Sequence, residues 1–173
     1  NYRPDLKSEA DLWDNLRHKI TRNNLSEIGE HPITDKEFDT IKTELLSKTQ
    51  TPFDAARWLK GENGIARITI EREDASLGSM SLILYSNRDI GGGISTYEVV
   101  HQIAKQKVDE DGRDRRFDVT LLINGLPIVQ IELKKVTAKD GVYQAHNQIK
   151  KYAEEGLFRN NIFSTLQLFV ISN

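Results

Sequence analysis

Apolar residues recur along this chain at helical spacing in some stretches and at every second position in others, and the two periods predict different elements. Helical spacing predicts helices near Glu9 to Thr21, Asp35 to Lys48 and Pro52 to Leu59. The second is opened by Thr34, with Glu37 completing a capping box, and Ser8 is a plausible cap for the first. Alternation predicts strands over Ala66 to Glu71, with Ile68 and Ile70 inward, over Ser79 to Ser86, with Leu82 and Leu84, and over Tyr97 to Lys107. From Val142 to Glu155, Ala145, Ile149 and Tyr152-Ala153 return to helical spacing. Helices followed by strands, with a long helix between the last of them, predict an α/β sandwich.

Two alternating runs meet at Asn124-Gly125, where both residues tolerate positive φ, and this predicts a β-hairpin. Val119, Leu121 and Ile123 share a face of the first strand, and Val129, Ile131 and Leu133 share a face of the second. Asp118 and Thr120 occupy the polar face of one strand; Gln130, Glu132 and Lys134 occupy that of the other. A two-residue turn would set Asp118 across from Ile131 and mix charged with core positions. The pattern therefore predicts a bulged turn, a type I turn followed by a left-handed glycine, which places Asp118 across from Gln130 or Glu132.

Two carboxylates at facing strand positions repel each other unless a cation lies between them. Oxygen ligands with no histidine or cysteine nearby suit Mg²⁺ or Mn²⁺, and Mg²⁺ commonly takes one or two carboxylates, waters and a substrate phosphate. Lys134 points to the same side as Glu132, where an ammonium can stabilise an attacking hydroxide or charge on phosphorus. Taken alone the triplet also fits an exposed hairpin face with ordinary surface charges. On the following helix Gln148 and Tyr152 are four residues apart and share a face, with Gln144 one turn earlier.

These residues resemble the PD-(D/E)xK nuclease superfamily, in its RecB-like branch with a Gln-x-x-x-Tyr helix. More narrowly, Phe117-Asp118-Val119 through Ile123-Asn124-Gly125-Leu126-Pro127 to Ile131-Glu132-Leu133-Lys134, then Asn147-Gln148-Ile149-Lys150-Lys151-Tyr152, resembles the N-terminal nuclease domain of type I restriction enzyme R subunits. Tyr97 to Gln102, Leu168 to Asn173, Leu12 to Arg17 and Ile33 to Phe38 extend the likeness over nearly the whole chain. It implies a restriction-endonuclease-like fold, with a central mixed sheet flanked by helices and an N-terminal helical extension. Residues 1–173 would form one nuclease domain of a larger chain, with 1–60 helical and 61–173 the sheet-containing core.

By the same resemblance Asp118 and Glu132 would ligate Mg²⁺ or Mn²⁺, Lys134 would act on the nucleophile or transition state, and Gln148 and Tyr152 would position the DNA backbone or support the site. Double-stranded DNA would be the substrate and modification and specificity subunits the partners. ATP would serve only a motor beyond Asn173. Phe117 stands where the superfamily's name has proline. Many such nucleases add a glutamate from a first core helix, for which Glu9 is a weak candidate, equally explained by capping. A stand-alone RecB-like repair nuclease and a non-catalytic domain binding DNA or a partner are the alternatives.

Composition changes this picture little. A chain of 173 residues, 38% hydrophobic, buries one core, and a net charge of −2 means that cations for DNA must gather locally. Arg113, Arg115, Arg116, Lys134, Lys135, Lys139, Lys150 and Lys151 do so in sequence. The absence of cysteine excludes disulfides and thiolate metal sites and suits a cytoplasmic protein, which the resemblance implies to be prokaryotic. No apolar run reaches membrane-spanning length. The start at Asn1 and the end after an apolar strand suggest a fragment. Gly91-Gly92-Gly93 lacks the lysine of a phosphate loop, the four histidines show no paired metal spacing, and Asn24-Leu25-Ser26 matches a glycosylation acceptor only by pattern.

Overall fold

The structure, a computed structural model, describes residues 1–87, 93, 95–105, 115–134, 140–154 and 156–172. Four helices come first: α1 (Glu9–Asn23), α2 (Leu25–Ile28), α3 (Asp35–Lys48) and α4 (Pro52–Lys60). The strands β1 (Ile65–Glu71) and β2 (Ser79–Ser86) follow as an antiparallel pair. Then β3 (Tyr97–Lys105), β4 (Arg115–Ile123) and β5 (Leu126–Leu133) lead into α5 (Gly141–Glu154) and β6 (Leu168–Ser172).

Local chemistry starts the helices where the sequence places them. Ser8 and Asp11 close a capping box on α1, Thr34 and Glu37 close one on α3, and Thr51 caps α4 ahead of Pro52. Asn24, in the apparent glycosylation pattern, is buried, and its side chain accepts from Ile83 N at 2.7 Å and donates to Ile83 O at 2.9 Å, tying α1 to β2. Its amide is committed to the fold.

The second sheet has the order β3-β4-β5-β6. The first three strands are antiparallel and β6 runs parallel to β5, the crossover being made through α5. The architecture is α/β with a mixed sheet and flanking helices. One apolar core joins Leu12, Leu16 and Ile20 of α1 to Val100, Phe117 and Leu122 of the sheet and to Tyr152 of α5.

The hairpin corrects the expected turn. Asn124 and Gly125 have φ of 52° and 83°, and Ile123 pairs directly with Leu126, so the turn has two residues. The odd residue is inside β5 instead: Leu121 pairs with Val129 and Leu122 with Pro127, which leaves Ile128 as the bulge. Pro127 has no N–H for the ladder, so the irregularity falls beside it. The Ile128 carbonyl accepts from Gln167 N at 2.9 Å and the Pro127 carbonyl from Thr165 Oγ1 at 2.7 Å.

Burial on the sheet also differs from the expected inward apolar face. Thr120, Gln130 and Glu132 are completely buried, while Val119, Leu121, Val129 and Ile131 are half-buried and Leu133 is exposed. The polar face is the one packed inward. Buried on that face as well is Glu98, which accepts from Asn15 Nδ2 at 2.9 Å and from Lys19 Nζ at 2.9 Å of α1, and from Arg3 Nη1 at 2.5 Å.

Candidate functional site

The alternation of burial breaks at Asp118, because Phe117 before it is buried as fully as Thr120 two residues after it. Paired residues between β4 and β5 run from the turn to Val119 and Ile131; one step further, Asp118 lies opposite Glu132. There the side chain of Asp118 takes over from the backbone. Its Oδ2 accepts from Leu133 N at 2.8 Å, and its Oδ1 accepts from Gln102 Nε2 at 3.1 Å. Gln102, between His101 and Ile103 of β3, has a φ of 54°, a conformation uncommon for a residue with a Cβ.

Glu132 is held by two amides. Its Oε1 accepts from Gln130 Nε2 at 3.2 Å and its Oε2 from Gln148 Nε2 at 3.0 Å. Gln148 in turn accepts from Lys134 Nζ at 2.6 Å through its Oε1 and donates to the Tyr152 hydroxyl at 2.6 Å. One glutamine thus connects the strand acid, the strand lysine and the helix tyrosine. Asp118, Glu132, Lys134, Gln148 and Tyr152 are brought together by β4, β5 and α5.

Burial pushes the Glu132 carboxyl up to about 7, and the negative charge of Asp118 adds to it, against the Gln130 hydrogen bond and the Lys134 charge. Glu98 on the same sheet face behaves oppositely. Burial pushes it up too, but hydrogen bonds from Asn15, Lys19 and Arg3 together hold it below the ordinary range. A buried glutamate with two cations bonded to it is a structural group, whereas one raised to near neutrality beside a second acid is poised for a cation or a proton.

The donor set fits a hard divalent ion. Two carboxylates face each other across a strand pair, and among the described residues no group of three or more His, Cys, Asp or Glu could hold a metal. Mg²⁺ characteristically takes one or two protein carboxylates and fills its octahedron with waters and phosphate oxygens. Asp118 and Glu132 supply that number.

Phe117, next to Asp118, has a packing role. Its ring meets Phe163 at 4.7 Å, Tyr152 at 5.6 Å edge-on and Phe158 at 5.6 Å. It therefore seats the helix carrying Gln148 and Tyr152 against the strand carrying Asp118. Glu9 accepts from Trp13 Nε1 at 3.3 Å, and Asp11 supplies the acidic side chain of the capping box. Of the expected cations, Arg116, Lys150 and Lys151 are exposed, and Lys150 lies 3.8 Å from Glu154. Arg113, Lys135, Lys139 and the Arg115 side chain lie outside the described residues, as do Gly91 and Gly92.

Sequence reasoning placed Thr120 and Gln130 on the polar face but gave them no role, and gave none to Gln102. For the first two the signal was present in the two-residue spacing from Asp118 and Glu132. Nothing in the sequence marks Gln102, because its contact depends on a left-handed backbone that no glycine announces.

A family model described as type I restriction enzyme R protein N terminus matches residues 1–173. The chain belongs to this family. The R-protein region is 30% identical over 171 residues to the SauMSSORF170P endonuclease subunit of Staphylococcus aureus, a type I restriction enzyme, covering 99% of this chain and 16% of that protein. It is 31% identical over 168 residues to the SsaAORF53P subunit of Staphylococcus saprophyticus, covering 97% and 16%. With the EcoprrI endonuclease subunit of Escherichia coli it shares 48% over 73 residues, which cover 42% of this chain and 23% of the relative. The R-protein region spans about a sixth of the length of the staphylococcal relatives it matches. Among its described residues no helix is long and apolar enough to cross a membrane.

Proposed function

We propose that this region is the PD-(D/E)xK-type endonuclease part of a type I restriction R subunit, hydrolysing phosphodiesters of double-stranded DNA with Mg²⁺ or Mn²⁺. The observation that carries the reading is the Gln148 side chain, bonded at once to Glu132, Lys134 and Tyr152, with Asp118 opposite Glu132. Surface charges on an exposed hairpin would have no reason to share one half-buried amide with a completely buried glutamate.

Asp118 and Glu132 would hold the metal, which when bound polarises the scissile phosphate and lowers the pKa of a coordinated water. Asp118 is pre-set for this by the Leu133 N–H and the Gln102 amide, which fix both of its oxygens. Glu132, raised to about 7 by burial and by Asp118, would hold the cation as the carboxylate, so binding would be favoured as pH rises through neutrality. Lys134 carries an ammonium whose position is set by Gln148, where it can stabilise negative charge developing on the phosphoryl group. Tyr152 anchors Gln148 from below while its ring is packed against Phe117.

Cutting would follow ATP-driven translocation by a motor in another part of the R subunit, in a cytoplasmic complex with modification and specificity subunits that supply target recognition. The relatives are named endonuclease subunits, and the staphylococcal ones are about six times as long as this region, which supports a part of a larger machine over a stand-alone repair nuclease. Calorimetric titration with Mn²⁺ tests the metal step. Saturable binding at millimolar concentrations or below, lost in Glu132→Ala, is expected; no binding, or binding unchanged by the substitution, returns the region to a non-catalytic role.

A further inference from the structure

Thr120, Gln130 and Glu132 are completely buried and form a chain of hydrogen bonds across β4 and β5. Thr120 Oγ1 donates to Gln130 Oε1 at 2.7 Å, and Gln130 Nε2 donates to Glu132 Oε1 at 3.2 Å. We propose that Gln130, seated by the Thr120 hydroxyl, is a positioning residue that fixes the Glu132 carboxylate for the metal. This rests on the nuclease reading above.

The placement follows from strand geometry. Thr120 and Gln130 are register partners, and Gln130 and Glu132, two apart on β5, share a face. Completely buried sheet positions are ordinarily apolar, and an apolar pair here would leave no polar group to satisfy. The polar chain present instead ends on one atom, Oε1 of Glu132.

The other oxygen has a matching support. Gln148 Nε2 reaches Glu132 Oε2, and its own carbonyl is occupied by Lys134 Nζ, as the Gln130 carbonyl is occupied by Thr120. Each amide is thereby fixed in orientation, because exchanging its oxygen and nitrogen would set a carbonyl against a carboxylate. The two supports differ in kind. Gln148 also bonds the lysine, so it serves the rest of the site, while the Gln130 amide nitrogen donates to Glu132 and to the strand carbonyl of Ile131, at 3.3 Å. Its side-chain bonds lead to Glu132 and to Thr120. Groups that orient a metal ligand in this way change metal affinity by about 10- to 100-fold when removed.

The test uses the R subunit that carries this region, free of nucleotide and DNA, with Mn²⁺ alone as the probe and unbound Mn²⁺ read by electron paramagnetic resonance. Binding lost in Asp118→Ala defines the site. Thr120→Val, close to isosteric but without the hydroxyl, and Gln130→Met are expected to weaken that binding about tenfold or more, with Thr120→Ser within about twofold of wild type. Thermal melting of each variant is recorded alongside.

Wild-type affinity in folded Thr120→Val and Gln130→Met overturns the proposal, as does a loss in Thr120→Ser equal to that in Thr120→Val. If Gln130→Met does not fold, the valine and serine variants at Thr120 decide between them. Failure of both Thr120→Val and Gln130→Met to fold, with Thr120→Ser intact, makes the chain a structural one and overturns it as well. Wild type and Asp118→Ala binding alike removes the nuclease reading itself, which keeps the two failures apart.

Discussion

Replacing Glu132 by glutamine removes a charge that the fold resists. The folded carboxyl is raised from the ordinary 4.5 to about 7 by burial and by Asp118. Between those values the folded protein binds a proton that the unfolded chain releases, so stability contributed by this group is complete below pH 4.5 and is lost as pH rises through 7. At about 1.4 kcal/mol for each tenfold change in acidity, the loss at pH 8 is roughly 3 kcal/mol. Glu132→Gln does not titrate and escapes it. The assay is urea denaturation of metal-free wild type and Glu132→Gln at pH 4 and pH 8, with the change in the variant's advantage as the readout, so that packing differences independent of pH cancel. The variant should gain roughly 2 to 3 kcal/mol on wild type between the two pH values. Adding Mg²⁺ at pH 8 should stabilise wild type and narrow the gap. An advantage that stays constant with pH, or a variant that loses ground as pH rises, refutes the claim that Glu132 is a buried acid held against its charge.

Glu98→Gln tests the opposite glutamate: it should cost about 2 to 4 kcal/mol at pH 7 by leaving Arg3 and Lys19 without their shared anion. Because the folded Glu98 carboxyl lies below its ordinary range, that difference should shrink in urea melts as pH falls through 4.5, and a cost that grows on acidification contradicts it. Tyr152→Phe keeps the ring on Phe117 and removes the hydroxyl that Gln148 uses; DNA cleavage should fall by about tenfold with stability changed by about 1 kcal/mol, and unaltered cleavage removes Tyr152 from the site. Gly125→Ala places a Cβ 2.9 Å from Leu16 Cα at a φ of +83°, so denaturation should show a loss of about 2 kcal/mol or more. A neutral result there would mean that the hairpin turn does not pack on α1 as described.

Much of this was legible from residue patterns. The capping residues Thr34 and Glu37, the helical return from Val142 and the turn at Asn124-Gly125 all appear where local chemistry puts them, because each is decided within a few residues. The register argument asked for a bulged turn to bring Asp118 across from Gln130 or Glu132; the turn has two residues, and the extra residue lies in β5. Its location did not follow from the turn residues, which suit a two-residue loop, and was set by Pro127 together with the docking of Gln167 and Thr165 on the bulged segment. The inward direction of the polar face was not legible either. Alternation states which residues share a face, and only tertiary packing decides which face α1 and α5 cover. Gln102 lay furthest from sequence, because its contact with Asp118 depends on a left-handed backbone in mid-strand.

The most direct measurement is double-strand cleavage by the complete restriction complex, with ATP-driven translocation followed in the same preparation. With Asp118 and Lys134 each replaced by alanine, cleavage should be abolished while translocation continues at the wild-type rate. Cleavage retained in both variants would contradict the assignment of Asp118, Glu132 and Lys134 as the site that cuts DNA.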